Sequence, residues 1–349
     1  MEILSTSGSD LEKAAAAIAA GLLVAFPTET VYGLGADAFN PAALARIFAT
    51  KNRPRFDPLI IHIAAQEALS GIADVSAMSG SAREKLALLR ERFWPGPLTF
   101  ILPKRPEVPD LATSALPTAA VRFPSHPAAQ TLIKISGRAV AAPSANLFGR
   151  LSPTRAEHVA AQLGDKVDYI IDGGKTQVGL ESTVLDLSGG QPVILRQGGT
   201  PRETIEALIG PVALSCPSLG DAPGGETQPG EPAPLSPGQL KSHYAPRTPL
   251  VVHKTGELAL LPGAPGEGRL YFSGALLNAA LKAGAAPEST RVLSQTGNPT
   301  EAAANFFDML HELDALSLKL IRAEEAPPAG LGEAINDRLH RAANPNLSY

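Results

Sequence analysis

The chain has 349 residues, 44% hydrophobic and 18% charged, with a formal charge of −4 and a single cysteine. Such a length exceeds a typical single core, so two domains are expected, and the near-neutral balance excludes the basic excess of an extensive nucleic-acid-binding surface. Cys216 alone excludes an intrachain disulfide or a cysteine-rich zinc site, and no segment reads as a signal peptide or membrane span, so a cytoplasmic enzyme or binding protein is expected.

Ser9 and Glu12 have capping-box spacing and predict a helix through LEKAAAAIAA that stops at Gly21. Leu22 to Phe26 reads as a short buried strand, and Pro27 ends its ladder. The following residues predict a strand-end loop that carries Thr28, Glu29, Thr30 and Tyr32 into the open. Gly33 and Gly35 would permit positive φ or close approach by a ligand. An ordinary strand-to-helix connection is the competing reading.

Asn40 and Pro41 cap a helix through AALARIFATK, and PLIIHI follows as a buried strand. Helical SAREKLALLRERF, strand-like LTFIL and AAVRF, helical HPAAQTLIKIS and strand-like RAVAA come next. A helix over 154–163 and the strands DYIID, STVLDL and PVILR lead to a helix capped by Thr200, with Pro201 in its first turn. Alternating helices and strands to residue 210 predict an α/β architecture, with some antiparallel pairing near 169–196. Residues 221–238 hold five Pro and four Gly among eighteen positions and read as a linker. Beyond it, PLVVH, RLYF and RVLSQ are candidate strands, and EAAANFFDMLHELDAL and LGEAINDRLHRAA candidate helices. The predicted organisation is residues 1–210, a linker over 211–247 and a small α/β domain over 248–349.

Lys51, Arg53 and Arg55 place three cations at a helix end, where an anion or the helix dipole would favour them. His62 lies in an apolar strand, where a satisfied core histidine and a ligand are both open. The island AAPSANLFGRLSPT offers Ser144, Asn146 and Ser152, as either a phosphate or ribose loop or a plain turn. Arg122 and Arg196 each end an apolar strand, from which the head can reach a cleft. GGKT at 173–176 is not a P-loop, because the position that needs Gly is Tyr169. No zinc helix, nucleophile elbow or dinucleotide fingerprint is present. An inventory of Thr, Ser, Lys and Arg without an obvious base or nucleophile fits phosphoryl or nucleotidyl transfer.

Together FPTETVYGLGADA, KNRPRFDPL, PTAAVRFP, APSANLFGRLSPT, GLESTVLD and ILRQGG resemble the YrdC/TsaC family of threonylcarbamoyl-AMP synthases, in the family's order. SPGQLKSHYAP and GLGEAINDRLHRAA resemble its long, two-domain form. The resemblance implies a twisted, mixed, open α/β sheet with helices, YrdC-like, with a concave surface like that of double-stranded-RNA-binding domains. A second, smaller, Rossmann-like α/β domain would follow.

The reaction implied joins L-threonine, bicarbonate or CO2, and ATP into L-threonylcarbamoyladenylate and pyrophosphate, for threonylcarbamoyladenosine at position 37 of ANN-reading tRNAs. The resemblance assigns Thr30, His62, Arg122, Ala142 (through its backbone) and Ser182 to threonine and carbamate. Lys51 and Arg53 would be catalytic, holding the triphosphate. Asp57 (main chain), Thr118, Ser144, Asn146, Ser152 and Arg196 would join Arg53 on the ATP side, with Tyr244 in a lid. Mg2+ would arrive with ATP, without a nameable protein ligand. A TsaD-type transferase complex would receive the product, and direct contact with tRNA stays open. The alternatives are an RNA-binding module without catalysis and carbamoyl-adenylate chemistry on the same fold.

Overall fold

The computed structural model describes residues 1–215 and 243–343; Cys216, the Pro/Gly-rich 221–238 stretch and the SPGQLKS segment lie outside the described residues. The first sheet comprises β1 (Glu2–Leu4), β2 (Val24–Phe26), β3 (Gly33–Asp37), β4 (Ile60–His62), β5 (Leu98–Pro103), β6 (Thr118–Arg122), β7 (Val140–Ala141), β8 (Tyr169–Ile171), β9 (Thr183–Asp186), β10 (Val193–Arg196) and β11 (Ala213–Leu214). Their order is β1-β8-β2-β3-β7-β4-β6-β5-β9-β10-β11. The sheet is mixed: β4 runs parallel to β6, whereas β6 runs antiparallel to β5.

Successive strand residues point to opposite faces, and that alternation separates core from site. Ile61, Phe100, Val121 and Leu185 enter the main core. Ile60, Ile101, Ala120 and Val184 form a smaller apolar cluster on the other face, and His62 and Arg122 share that face by strand parity.

The second sheet contains β12 (Leu250–His253), β13 (Glu267–Ser273), β14 (Thr290–Ser294) and β15 (Leu320–Glu324), all parallel, in the order β12-β15-β13-β14. The helices Pro299–Ala315 and Leu331–Ala342 pack on it through Phe306, Phe307, Leu310 and Ile335. Val31, Leu151 and Leu180 of the first domain join the same apolar cluster, so the two domains share buried surface. The sequence reading missed β15, whose Arg322 interrupts an otherwise apolar run.

Several local expectations are corrected. The first helix is capped by Ser7, which accepts from the Asp10 N–H, rather than by Ser9 with Glu12. Thr200 does not cap the Arg202–Ile209 helix; its hydroxyl donates to the Pro97 carbonyl at 3.2 Å. The residues expected in the open are buried: Thr28 is 2% exposed, Glu29 3% and Tyr32 0%. Gly33 and Gly35 lie in β3, not in a turn, and neither has positive φ. A β-carbon on Gly35 would lie 2.6 Å from the Phe26 ring and 2.9 Å from Val140, so this glycine serves strand packing.

Candidate active site

The segment 27–32 joins β2 to β3, an antiparallel pair, and folds inward because its hydroxyls satisfy its own backbone. Thr28 Oγ1 donates to the Val31 carbonyl at 2.6 Å and accepts from the Thr30 and Val31 N–H groups. Thr30 is thereby held fully buried against the opening. The Tyr32 hydroxyl donates to the Gly174 carbonyl and accepts from the Gly173 N–H, which ties the loop to the 173–174 turn.

Strand register brings His62 beside Arg122, and Arg122 beside Thr99. Arg122 lies 2.7 Å from Glu29 Oε1, but off the hydrogen-bond axis, so neither atom has a hydrogen-bond partner among the described residues. Burial, reinforced by Arg122, pushes the His62 imidazole down to about 3, so it is neutral at pH 7. Its Nδ1 contacts the Ile60 carbonyl at 3.1 Å. Arg196 donates to the Ser182 carbonyl at 2.9 Å and to its hydroxyl, which pairs in turn with Thr99.

Arg53 follows the Pro41–Lys51 helix, which Asn52 ends in the left-handed conformation. Its guanidinium donates to the Pro58 carbonyl at 2.9 Å and meets the Asp57 carboxylate at the same distance. Burial raises the Asp57 carboxyl against the pull of Arg53. Lys51 donates to the main-chain carbonyls of Ser144 and Asn146, and burial, then Arg53, holds its ammonium well below the usual lysine range. It braces the 144–146 loop rather than lining the opening.

These groups converge on one pocket. Thr30, Arg53, His62, Arg122, Ala142, Ser144, Ser182, Arg196 and Tyr244 line it, as do Glu181 and His243. Three guanidinium groups face the pocket, two of them with a carboxylate behind them, Asp57 at Arg53 and Glu29 at Arg122, and such a lining suits an anionic ligand.

Asp57, Thr118, Asn146 and Ser152 stand outside that lining, as does Lys51. The Asn146 amide is spent on the Leu147 and Arg150 carbonyls, and the Ser152 hydroxyl on Glu181. Thr118 sits at the far end of β6, on the same face as Arg122 by strand parity.

Tyr244 reaches the pocket from the linker side. It takes φ 64°, unusual for a residue with a β-carbon, and its ring lies 4.1 Å from that of His243 and 5.7 Å from that of Phe307. Its hydroxyl is buried without a partner among the described residues, and burial raises its pKa, keeping the phenol protonated.

Sequence reasoning named Glu29 only as a loop residue, without its pairing with Arg122, and missed Glu181, His243 and Arg338. Glu181 accepts from Arg338 Nε at 3.1 Å, across 157 positions of chain, which no local pattern signals. His243 stands beside Tyr244 in the HYAP motif, and that adjacency was the available clue. No group of three His, Cys, Asp or Glu among the described residues could hold a metal ion. No helix of the described residues is long and apolar enough to cross a membrane.

Comparison with known proteins gives matches over nearly the whole chain. The family model described as "Telomere recombination", covering Sua5, YciO and YrdC, matches residues 16–198, and "Threonylcarbamoyl-AMP synthase, C-terminal domain" matches residues 200–344. The threonylcarbamoyl-AMP synthase of Bacillus subtilis is 40% identical over 97% of this chain and 94% of its own. That of Pyrococcus abyssi is 40% identical over 95% of this chain and 93% of its own. The crystal structure of P. abyssi Sua5 complexed with L-threonine superposes with a TM-score of 0.83 at 37% identity, covering 98% of both chains.

Proposed function

The chain belongs to the Sua5/YrdC family of threonylcarbamoyl-AMP synthases, and from that premise we propose how its pocket divides the work. Its activity is nucleotidyl transfer from ATP to form L-threonylcarbamoyladenylate, in the pathway to threonylcarbamoyladenosine in tRNA. In our reading the threonine amine takes up CO2, supplied as bicarbonate, to form a carbamate. A carbamate oxygen attacks the α-phosphate of ATP, the bond to the β-phosphate breaks, and pyrophosphate leaves.

Arg122 receives the threonine carboxylate, and its unaligned contact with Glu29 leaves an N–H ready to donate. Thr30, neutral His62, Ser182 and the Ala142 backbone close around threonine and the carbamate, excluding water from a labile group. Arg53 meets the transferring phosphate, where fixed positive charge stabilises the transition state without reorganisation. Lys51 supports it by holding the 144–146 loop, which presents Ser144 to the pocket. Arg196 and Tyr244 take the nucleotide, Asn146 and Ser152 shape its loop, Asp57 contacts it through its main chain, and Thr118 receives the adenosine end along the β6 face.

Mg2+ would come as the counter-ion of ATP and supply further charge neutralisation at the phosphates. Glu181 is the pocket's carboxylate and is engaged by Arg338 and Ser152, so the donor set does not form a dedicated metal site among the described residues. The product passes to a TsaD-type transferase complex in the cytoplasm, and tRNA contact by this chain is at most weak. The full-length family match favours synthesis over RNA binding without catalysis and over carbamoyl-adenylate chemistry.

The convergence of Arg53, Arg122 and Arg196 on one pocket carries the reading. Purified protein given ATP, bicarbonate and L-threonine is expected to release pyrophosphate well above a threonine-free control. Equal release in both overturns the proposal.

A further inference from the structure

The second domain sends one side chain deep toward the pocket. Arg338, on the Leu331–Ala342 helix, is fully buried. Its Nε donates to Glu181 at 3.1 Å, and its guanidinium carbon lies 5.4 Å from the centre of the Tyr244 ring. Both partners line the pocket. NH1 meets Asp337 at 3.0 Å, while NH2 has no hydrogen-bond partner among the described residues.

Other contacts also join the two domains. Arg155 and Lys175 each meet Asp308 at 2.7 Å, and His311 Nε2 contacts the Ser152 carbonyl at 3.1 Å. At Gly179 a β-carbon would lie 2.3 Å from the Ala303 carbonyl, so that glycine lets the Pro299–Ala315 helix seat closely. A buried arginine is a costly way to add one more anchor. Its position instead neutralises Glu181 and supports the Tyr244 ring through a cation–π contact.

We propose that Arg338 is a positioning residue for the adenylation reaction, fixing Tyr244 and neutralising Glu181 from the second domain so that the pocket accepts ATP. The proposal rests on the reading that puts Tyr244 on the nucleotide side. Without Arg338, Glu181 keeps the Ser152 hydroxyl but its charge is balanced only by drawing on Arg196, which weakens the hold of that arginine on the triphosphate.

The test uses the full-length chain, with KM measured separately for ATP and threonine and thermal unfolding followed in parallel. Arg338→Gln is expected to raise KM for ATP about 10-fold with little change in KM for threonine, a coupling of ordinary size for contacting groups. Adding Glu181→Gln is expected to recover most of that loss, and Arg338→Lys part of it. A purely structural role would lower the unfolding temperature without this substrate-selective effect or its recovery. A folded Arg338→Gln variant with wild-type KM for ATP overturns the inference, as does failure of Glu181→Gln to recover any of it. Should the glutamine variant not fold, Arg338→Lys decides alone: a raised KM for ATP with unchanged KM for threonine supports the role, and wild-type values overturn it. Wild-type KM for ATP in Tyr244→Ala would instead remove Tyr244 from the nucleotide side, a separate failure of the underlying reading.

Discussion

The two sheets finish the ends of their strands with similar residues and opposite results. In the first, His62, Arg122 and Arg196 end β4, β6 and β10 at an open pocket. Beside that pocket the Tyr244 hydroxyl is buried without a hydrogen-bond partner among the described residues, and Arg122 NH2 and Glu29 Oε1 meet in an ion pair without hydrogen-bond alignment. In the second sheet, Glu324 at the end of β15 accepts from the Gly256 N–H at 2.7 Å and the Phe272 N–H at 3.2 Å. Ser294 at the end of β14 donates to Glu301 at 2.6 Å and accepts from the Asn298 N–H. A buried polar group without a partner costs about 1–3 kcal/mol. The pocket carries that cost at the Tyr244 hydroxyl, where a bound substrate would relieve it, while the second sheet satisfies these strand-end groups internally and serves as support.

The largest expected effect lies in the open pocket. Arg53→Ala should lower kcat/KM for pyrophosphate release by about 10²-fold or more, as loss of a transition-state donor does; near-wild-type kinetics would erase the contrast. In the closed sheet, Glu324→Ala should cost about 1–3 kcal/mol of unfolding free energy, because the buried Phe272 N–H and the part-buried Gly256 N–H lose their acceptor, with both KM values unchanged. A raised KM would show that the second sheet carries more than support.

Acid should loosen the seam between the two domains. His158 and His311 stack across it at 3.8 Å, and burial pushes each down to about 4 from an ordinary value of 6.5. Their folded pKa lies below the unfolded one, so the unfolded chain binds more protons, and stability falls as pH drops from 6.5 toward 4. Unfolding temperatures measured across that window should decline more steeply than in a His158→Gln/His311→Gln variant, and parallel declines would clear the pair.

The smallest effect concerns Thr118. Loss of one hydroxyl contact, worth ~0.5–1.5 kcal/mol, should raise KM for ATP a few-fold in Thr118→Ala and leave threonine untouched. An unchanged value would confine the nucleotide to the pocket around Arg53 and Arg196.

Local chemistry was legible where the chain itself completes the structure. Asn40 and Pro41 do begin their helix, because the Asn40 carboxamide accepts from the N–H groups of Ala42 and Ala43. PLIIHI and AAVRF are strands, as their apolar character predicts. The FPTETVYGLGA segment reads from sequence as a strand followed by an open loop, whereas its polar residues are buried and its glycines lie in β3, since only the fold reveals that Gly35 accommodates Phe26 and Val140.

The sequence by itself determined the alternation of helices and strands, the candidate polar islands and the supply of arginines, because caps, prolines and apolar periodicity act within a few residues. Tertiary structure alone decided that Lys51 braces a loop, that Glu29 stands beside Arg122, and that Arg338 reaches Glu181. Those relations join residues far apart in the chain through strand register and domain packing. Burial then fixes the charge state of His62.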